Sequence, residues 1–309
     1  MEIRWNENHI MGVEELDREH RQLFAIAGKL VDRVEEQDAS DSAGRLFVLR
    51  EGLKYLRSYF ASHAVREEAY MRQIGYPGYA AHKRLHDEFQ NVNLRKYEAI
   101  LEKGACSREE VLDFVGLGIG WLVEHISTAD LAIVGKGVLS KPKQKALHGP
   151  ELEREINQLF AATLNLSVEA RIIERNYSGG ALNEAVYHEL IYQKGEQQVS
   201  VLAGIEKDFL LRAAEQVYGS HLEELDALIL STLELFSANF WRTLGNRFAG
   251  GVEGLEYREN HYLLLSQVQE RFERRIPKLS LLFSSNSGRF FVASDLDLEE
   301  QPWANPLFI

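Results

Sequence analysis

A chain of 309 residues is long for one hydrophobic core and favours two domains. Its 45% apolar and 27% charged residues are those of an ordinary globular protein, and a formal net charge of −12 argues against a nucleic-acid-binding face, since phosphate neutralisation needs clustered Lys and Arg. The single cysteine, Cys106, excludes an intrachain disulfide and a cysteine-based metal cluster.

The opening MEIRWNENHI lacks the apolar core of a signal peptide, and no stretch reaches about 18 consecutive apolar residues, so no membrane span is expected and the cytoplasm is the expected compartment. Four long helical patterns fill the first 135 residues. LDREHRQLFAIAGKLVDRVEE carries apolar residues at steps of three and four, with Asp17 as an early-turn acid. SAGRLFVLREGLKYLRSYFASHAVREEAYMRQ follows the turn-prone DASDS. QIGYPGYA, with two glycines and Pro77, breaks the period before YAAHKRLHDEFQNVNLRKYEAILEK resumes it. A Gly-Ala-Cys-Ser turn leads into REEVLDFVGLGIGWLVEHISTADLAIV, where Ser107 and Glu110 form a capping box. Four helices with short connections predict an antiparallel bundle. Gly116, Gly118 and Gly120 would each cost the fourth helix about 0.8–1.0 kcal/mol relative to alanine. Gly116 and Gly120 share a face, where close packing of a neighbour is expected.

GKGVLSKPKQKALHGP, residues 135–150, has four lysines, two prolines, three glycines and no acid. That is linker composition, and residues 136–150 are expected to join a domain over 1–135 to another over 151–309. In the second half ELEREINQLFAATLNLSV reads as a helix, QQVSVLAGI as a strand, and DFLLRAAEQVYG and DALILSTLELFSANFWRTLG as helices. KLSLLFSSNSGRFFVASDL reads as two strands around SSNSGR. This half is α+β, unlike the first.

Five of the ten histidines sit at helical positions in the bundle. His20 lies in the first helix, His63 and Glu67 in the second, His82 and His86 in the third, and His125 and Asp130 in the fourth. Taken singly, each is more often a solvated or hydrogen-bonded residue than a ligand. His125 and Asp130 are the weakest pair, because a spacing of five turns one side chain roughly 140° from the other on an α-helix. The conjunction is stronger: every helix contributes, and pairs four apart converge above one helix face. Five imidazoles and two carboxylates exceed what one metal takes and suit a pair of first-row cations, with carboxylates able to bridge. His9 is expected at the surface, and His148, His188, His221 and His261 show no metal spacing.

Trp5, MGVEELDREHRQLF, HAVREE, GYPGYAAHKRLHDEF and WLVEHISTAD together resemble the bacterial hemerythrin domain over residues 1–135, with all seven family ligand positions filled. The resemblance implies two iron ions in a non-haem centre with an oxo-type bridge that binds dioxygen reversibly. It implies that His82, His86 and His125 cap one iron and His20 and His63 the other, with Glu67 and Asp130 bridging and an open position on the five-ligand iron. Manganese or zinc would also suit these donors. A two-metal centre relaxes the objection to the spacing of five, and predicts irregular, π-type hydrogen bonding between residues 125 and 130.

In the second half, EINQLFAATLNLSV, VSVLAGIEKDFLLRAAEQVYG, ELDALILSTLELFSANF and KLSLLFSSNSGRFFVASDL resemble in order the chemotaxis phosphatases CheC and CheX. Those enzymes carry Glu-x-x-Asn on a long helix. Here Glu234 matches, but Ser237 stands at the asparagine position, and Asn239 lies about 200° further round the helix. The resemblance therefore implies weak or lost phosphatase activity and a binding or dimerisation module, with a CheY-like response regulator or a second copy of the chain as partner. Three readings stay open at this point: an oxygen- or redox-responsive signalling protein, a regulated aspartyl-phosphate phosphatase, and an oxygen or iron carrier with an inert appendage.

Overall fold

The computed structural model describes residues 3–36, 41–137, 149–248, 255–274 and 277–295. The chain divides into two compact units, one of Met1–Ser140 with Glu215–Phe236, the other of Lys141–Ala214 with Ser237–Ile309. The expected linker lies for the most part, at residues 138–148, outside the described residues, and His148 with it.

In the first unit the four expected helices form, three of them interrupted by a π turn. The first is α1, Glu14–Glu36. The second comprises α2, Ser42–Tyr55, a π turn over Leu56–Phe60, and α3, Ala61–Gln73. The third comprises α4, Tyr79–Glu88, a π turn over Phe89–Asn93, and α5, Arg95–Lys103. The fourth comprises α6, Arg108–His125, a π turn over Ile126–Asp130, and α7, Leu131–Ile133. Their ends follow from local chemistry. Glu14, Glu15 and Asp17 place negative charge on the free amides of the first turn of α1, and Asp17 also accepts from the amides of Met11 and Gly12 at 2.8 and 2.9 Å. Asp41 caps α2 through the amides of Ala43 and Gly44. The capping box starts α6, with Glu110 donating its amide to Ser107 at 3.1 Å and Ser107 donating to the Glu110 carboxylate at 2.7 Å. Gly104, at φ 70, ends α5 in the left-handed conformation that glycine adopts without a Cβ penalty.

The stretch Arg108–Ile133 is long and apolar enough to cross a membrane by length and composition, but 89% of the window concerned is buried inside the structure. Its apolar character belongs to the bundle core. Val111, Val115, Ile119 and Leu122 are buried there together with Trp121.

The second unit is built on a six-stranded antiparallel sheet of order β1-β5-β6-β3-β2-β4. Its strands are β1, Arg171–Arg175; β2, Ala185–Lys194; β3, Gln197–Glu206; β4, Glu256–Leu263; β5, Leu279–Ser285; and β6, Gly288–Ser294. The helices are α8, Gly149–Leu164; α9, Lys207–Tyr218; α10, Ala227–Phe248; and α11, Leu265–Arg274. By residue membership, α9 and α10 each begin in one unit and end in the other.

Phe290 and Phe291 show how the sheet is covered on both faces, since adjacent strand residues point to opposite sides. Phe290 meets Phe160, Phe209 and Phe283. Phe291 joins Tyr177, Leu202, Val268 and Phe272. The strands around SSNSGR form as expected, paired from Leu279–Ser294 to Ser285–Gly288. Sequence patterning missed β1, β2, β4 and α11. β2 is buried on both faces along its centre, so no alternation marks it, whereas β1 and β4 are edge strands with mostly exposed, charged residues.

Candidate metal centre

Seven buried ionisable side chains cluster in the bundle interior. His20 comes from α1, His63 and Glu67 from α3, and His82 and His86 from α4, while His125 closes α6 and Asp130 closes the π turn that follows. None is more than 3% exposed. His82, His86, His125 and Glu67 offer one donor atom each within 4.8 Å of one another, and so do His20, His63 and Glu67. Six of the seven therefore gather as two groups that share Glu67, and Asp130 stands outside both.

Asp130 addresses both groups. Its Oδ1 lies 2.9 Å from His125 Nε2 and 3.4 Å from His82 Nε2, and its Oδ2 lies 3.3 Å from His20 Nε2. Glu67 Oε2 lies 3.0 and 3.2 Å from the Nε2 atoms of His82 and His86. Glu67 Oε1 and His20 Nδ1 are buried with no hydrogen-bond partner.

The Nε2 atoms themselves crowd together. His20 faces His63 at 3.1 Å, His82 faces His86 at 3.2 Å, and His86 faces His125 at 3.1 Å. His63 turns its Nδ1 to the Glu19 carboxylate at 2.7 Å, and since a carboxylate accepts, that nitrogen is the N–H donor and Nε2 faces the cluster. Ring nitrogens brought this close in a dry interior must share a proton or a cation, since two facing lone pairs repel. The donor set is nitrogen and carboxylate oxygen without sulfur, which suits first-row metals such as iron, and the two groups are compatible with a di-iron site.

The electrostatics couple the donors to one another: burial opposes charge on His20 and His82, but Asp130 and Glu67 respectively outweigh it and raise both imidazoles. Burial raises the Glu67 carboxyl, but His82, His86 and His63 outweigh it and hold the group well below the usual carboxylate range. Asp130 is likewise held down: burial and Glu67 oppose ionisation, and His125 and His20 overcome them. Burial pushes His125 down to about 4, so its imidazole is neutral and can act as a ligand.

Residues 11–136 match the hemerythrin HHE cation-binding domain. Over 132 residues the chain is 31% identical to the myohemerythrin of Sipunculus nudus, an alignment spanning 43% of this chain and 91% of that relative. The chain belongs to the hemerythrin family. The bacteriohemerythrin of Clostridium acetobutylicum is 29% identical over 130 residues, 41% of this chain and 94% of its own length. The chemotaxis protein CheX from Vibrio vulnificus is a structural neighbour at 10% identity and a TM-score of 0.31, covering 47% of this chain and 96% of that one.

Within the hemerythrin domain, the π turn over Ile126–Asp130 answers the difficulty of a ligand spacing of five. Hydrogen bonds from i to i+5 bring residues five apart to about one turn, as a spacing of four does in an α-helix. Ser127 and Thr128 donate their hydroxyls to the carbonyls of Val123 and Glu124 at 2.7 and 2.9 Å, satisfying groups that the wider turn displaces. The other two π turns flank the cluster as well, one ending shortly before His63 and one beginning shortly after His86.

Residues that spacing does not reveal complete the surroundings. Glu19 bridges His63 and Arg66, at 2.7 and 2.5 Å, and Trp121 stacks on His125 with ring centroids 4.1 Å apart. Glu68 Oε1 lies 3.5 Å from His86 Nδ1. Only the packing of α1 against α3 brings Glu19 to His63, and no one-dimensional signal carries that.

His9 corrects an expectation: it is buried against Trp5 and Phe24, not at the surface. The short 3₁₀ turn Glu7–His9 folds its ring inward, and burial pushes it down to about 4. In α10, Glu234 is half-buried, while Ser237 is buried with its hydroxyl 3.2 Å from His188 Nε2. Asn239 is also buried, and its Oδ1 accepts from Arg242.

Proposed function

We propose that the bundle is a non-haem di-iron, dioxygen-binding centre, and that the chain is an oxygen- or redox-responsive signalling protein. In this reading His82, His86 and His125 would hold one iron, His20 and His63 would hold the other, and Glu67 and Asp130 would serve both. The observation that carries it is the division of the buried donors into two groups that share Glu67, with one oxygen of Asp130 toward each. Two ferrous ions, when bound, supply the two electrons that reversible dioxygen capture requires.

The protein's own contribution is placement and exclusion. Glu19 fixes the His63 ring so that Nε2 faces the cluster, the role that outer carboxylates play around many metal-bound histidines. Phe60, Phe89 and Trp121 wall the cluster with aromatic surface and keep water from it. The hemerythrin names of the relatives support dioxygen as the ligand. A signalling role is favoured over simple carriage because the chain devotes a second compact unit to something other than the bundle. That unit's partner, in this reading, is a response regulator or another signalling protein.

Metal analysis and visible spectra after aerobic purification test the proposal. About two irons per chain with oxo-bridged diferric absorption is the expected result, since the number and type of donors suit a pair of first-row metals. Substoichiometric metal that survives loss of His82 and His86 would overturn it.

A further inference from the structure

The glycines of α6 are placed unevenly. A methyl group at Gly116 would collide with the carbonyl of Leu228, and one at Gly120 with the carbonyl of Thr232. At Gly118 it would meet only Leu56, at 4.0 Å. The first turns of α10 therefore lie backbone against backbone on the Gly116–Gly120 face, a closeness only glycine permits. Side chains lock the contact. Ser231 donates its hydroxyl toward the carbonyl and the carboxylate of Asp113, at 2.7 and 2.8 Å, and the Thr232 hydroxyl lies 2.5 Å from that of Tyr218. The Arg4 amide donates to Val217 at 3.0 Å, tying the same segment to the N-terminal arm.

This segment, Glu215–Phe236, belongs to the metal-bearing unit although it follows the bundle by about eighty residues of sequence. The helix it docks on is the one that ends in His125 and leads through the π turn to Asp130. Trp121, the residue after Gly120, stacks on His125. A rigid helix cannot shift its ligand end alone, and a contact without intervening side chains has no soft layer to absorb the shift.

We propose that α10 is the output element of the metal centre. A change of geometry at His125 and Asp130 moves α6, the glycine contact moves Leu228–Thr232 with it, and the change continues along the helix to residues 237–248, which belong to the second unit. This rests on the di-iron reading and adds to it the route by which ligand state leaves the bundle.

Hydrogen exchange of the full-length, iron-loaded chain tests it, comparing reduced protein without oxygen against the same sample exposed to oxygen. Iron content and visible spectrum are read on each sample. The expected result is a change of about fivefold or more in exchange across 227–248, the lower end of usual allosteric couplings. The Gly120→Ala variant should keep the spectrum and lose that change, whereas Gly118→Ala should keep both. Where Gly120→Ala does not fold, Ser231→Ala, which removes two hydrogen bonds without adding volume, should weaken the response. A sample that holds iron and responds spectrally to oxygen, yet shows unchanged exchange over 227–248, overturns the inference alone. A sample without iron overturns the metal reading and this inference with it. Equal loss of the response in Gly118→Ala and Gly120→Ala would also overturn it, because the effect would then be one of helix propensity rather than contact.

Discussion

In the bundle five imidazoles and two carboxylates are buried together, with Nε2 atoms facing one another at 3.1–3.2 Å. In the α+β unit His188 is buried with the Ser237 hydroxyl beside its Nε2 and the Asn260 side chain as a second polar neighbour, and stacks on Tyr262. Burial of histidine is common to both, so burial is not what marks a metal site. A neutral imidazole, with one N–H and one lone pair, is satisfied by neutral partners and needs no further charge. Clustered ring nitrogens around shared carboxylates are instead a donor set that protons satisfy only pairwise and that cations satisfy together. The first unit should therefore depend on metal for its stability, and the second should not.

The largest expected effect tests that difference directly. Glu67 is common to both donor groups, so Glu67→Ala should strip metal from both, where loss of His20 would empty one. Because metal binding is folding free energy when the unfolded chain lacks the site, hydrogen exchange should rise steeply in α3 and α4 and remain unchanged in β2 and β3. Equal deprotection of both units would break the comparison.

The converse substitution acts on the aromatic core of the second unit. Phe160 packs on Phe209, Phe240 and Phe290. Phe160→Ala should cost that unit about 3–5 kcal/mol, the usual range for deleting a buried aromatic ring. Denaturant unfolding followed by exchange in β3 and β6 measures the loss, and iron content should stay as in the parent chain.

Acid sharpens the contrast further. Burial pushes His188 from 6.5 down to about 4, with a smaller opposing pull from the side chain of Asn260. The folded unit therefore keeps His188 neutral while the unfolded chain binds a proton. The stability this group permits is intact above pH about 6.5 and falls as the pH drops from there toward 4. The loss reaches about 3 kcal/mol at the lower end, at 1.36 kcal/mol for each pH unit. His188→Gln, which does not titrate, should flatten the acid limb of the second unit's unfolding curve. An unchanged limb would show that other groups set it.

How much of this was legible in the chain differs between the units for a physical reason. Helices α1 to α5 each turn one face to the core, so three- and four-residue periodicity exposes them, and pairs such as His82–His86 reveal themselves by the same period, whereas α6, buried nearly all round, shows as an apolar run. Even the break in that period was informative, since His125 and Asp130 could share a site only if the helix widened between them, as it does. The sheet offers less. β2 is covered on both faces and loses its alternation, and β4 is an exposed edge that reads as polar loop. The close packing at Gly116 and Gly120 was foreshadowed by composition, but its partner, a segment more than one hundred residues on, is set by tertiary contact alone. The same holds for the partners of His9 and His63.

Glu19 gives the smallest and most selective prediction. Its carboxyl is lifted by burial and pulled below its ordinary range by His63 and Arg66, so it is ionised where it meets the imidazole N–H. Glu19→Gln keeps an oxygen for His63 Nδ1 but loses the charge that strengthens that hydrogen bond and clamps Arg66. Iron affinity should fall about tenfold to a hundredfold, as it does on loss of outer partners elsewhere. Glu19→Ala should fall at least as far, since the ring then also loses its orientation. Competition with a chelator of known affinity measures both, and the visible bands of the loaded Gln variant should shift without loss of helix. Affinity equal to the parent in both variants would mean that packing alone, through Phe60 and the His20 ring, holds His63 in place.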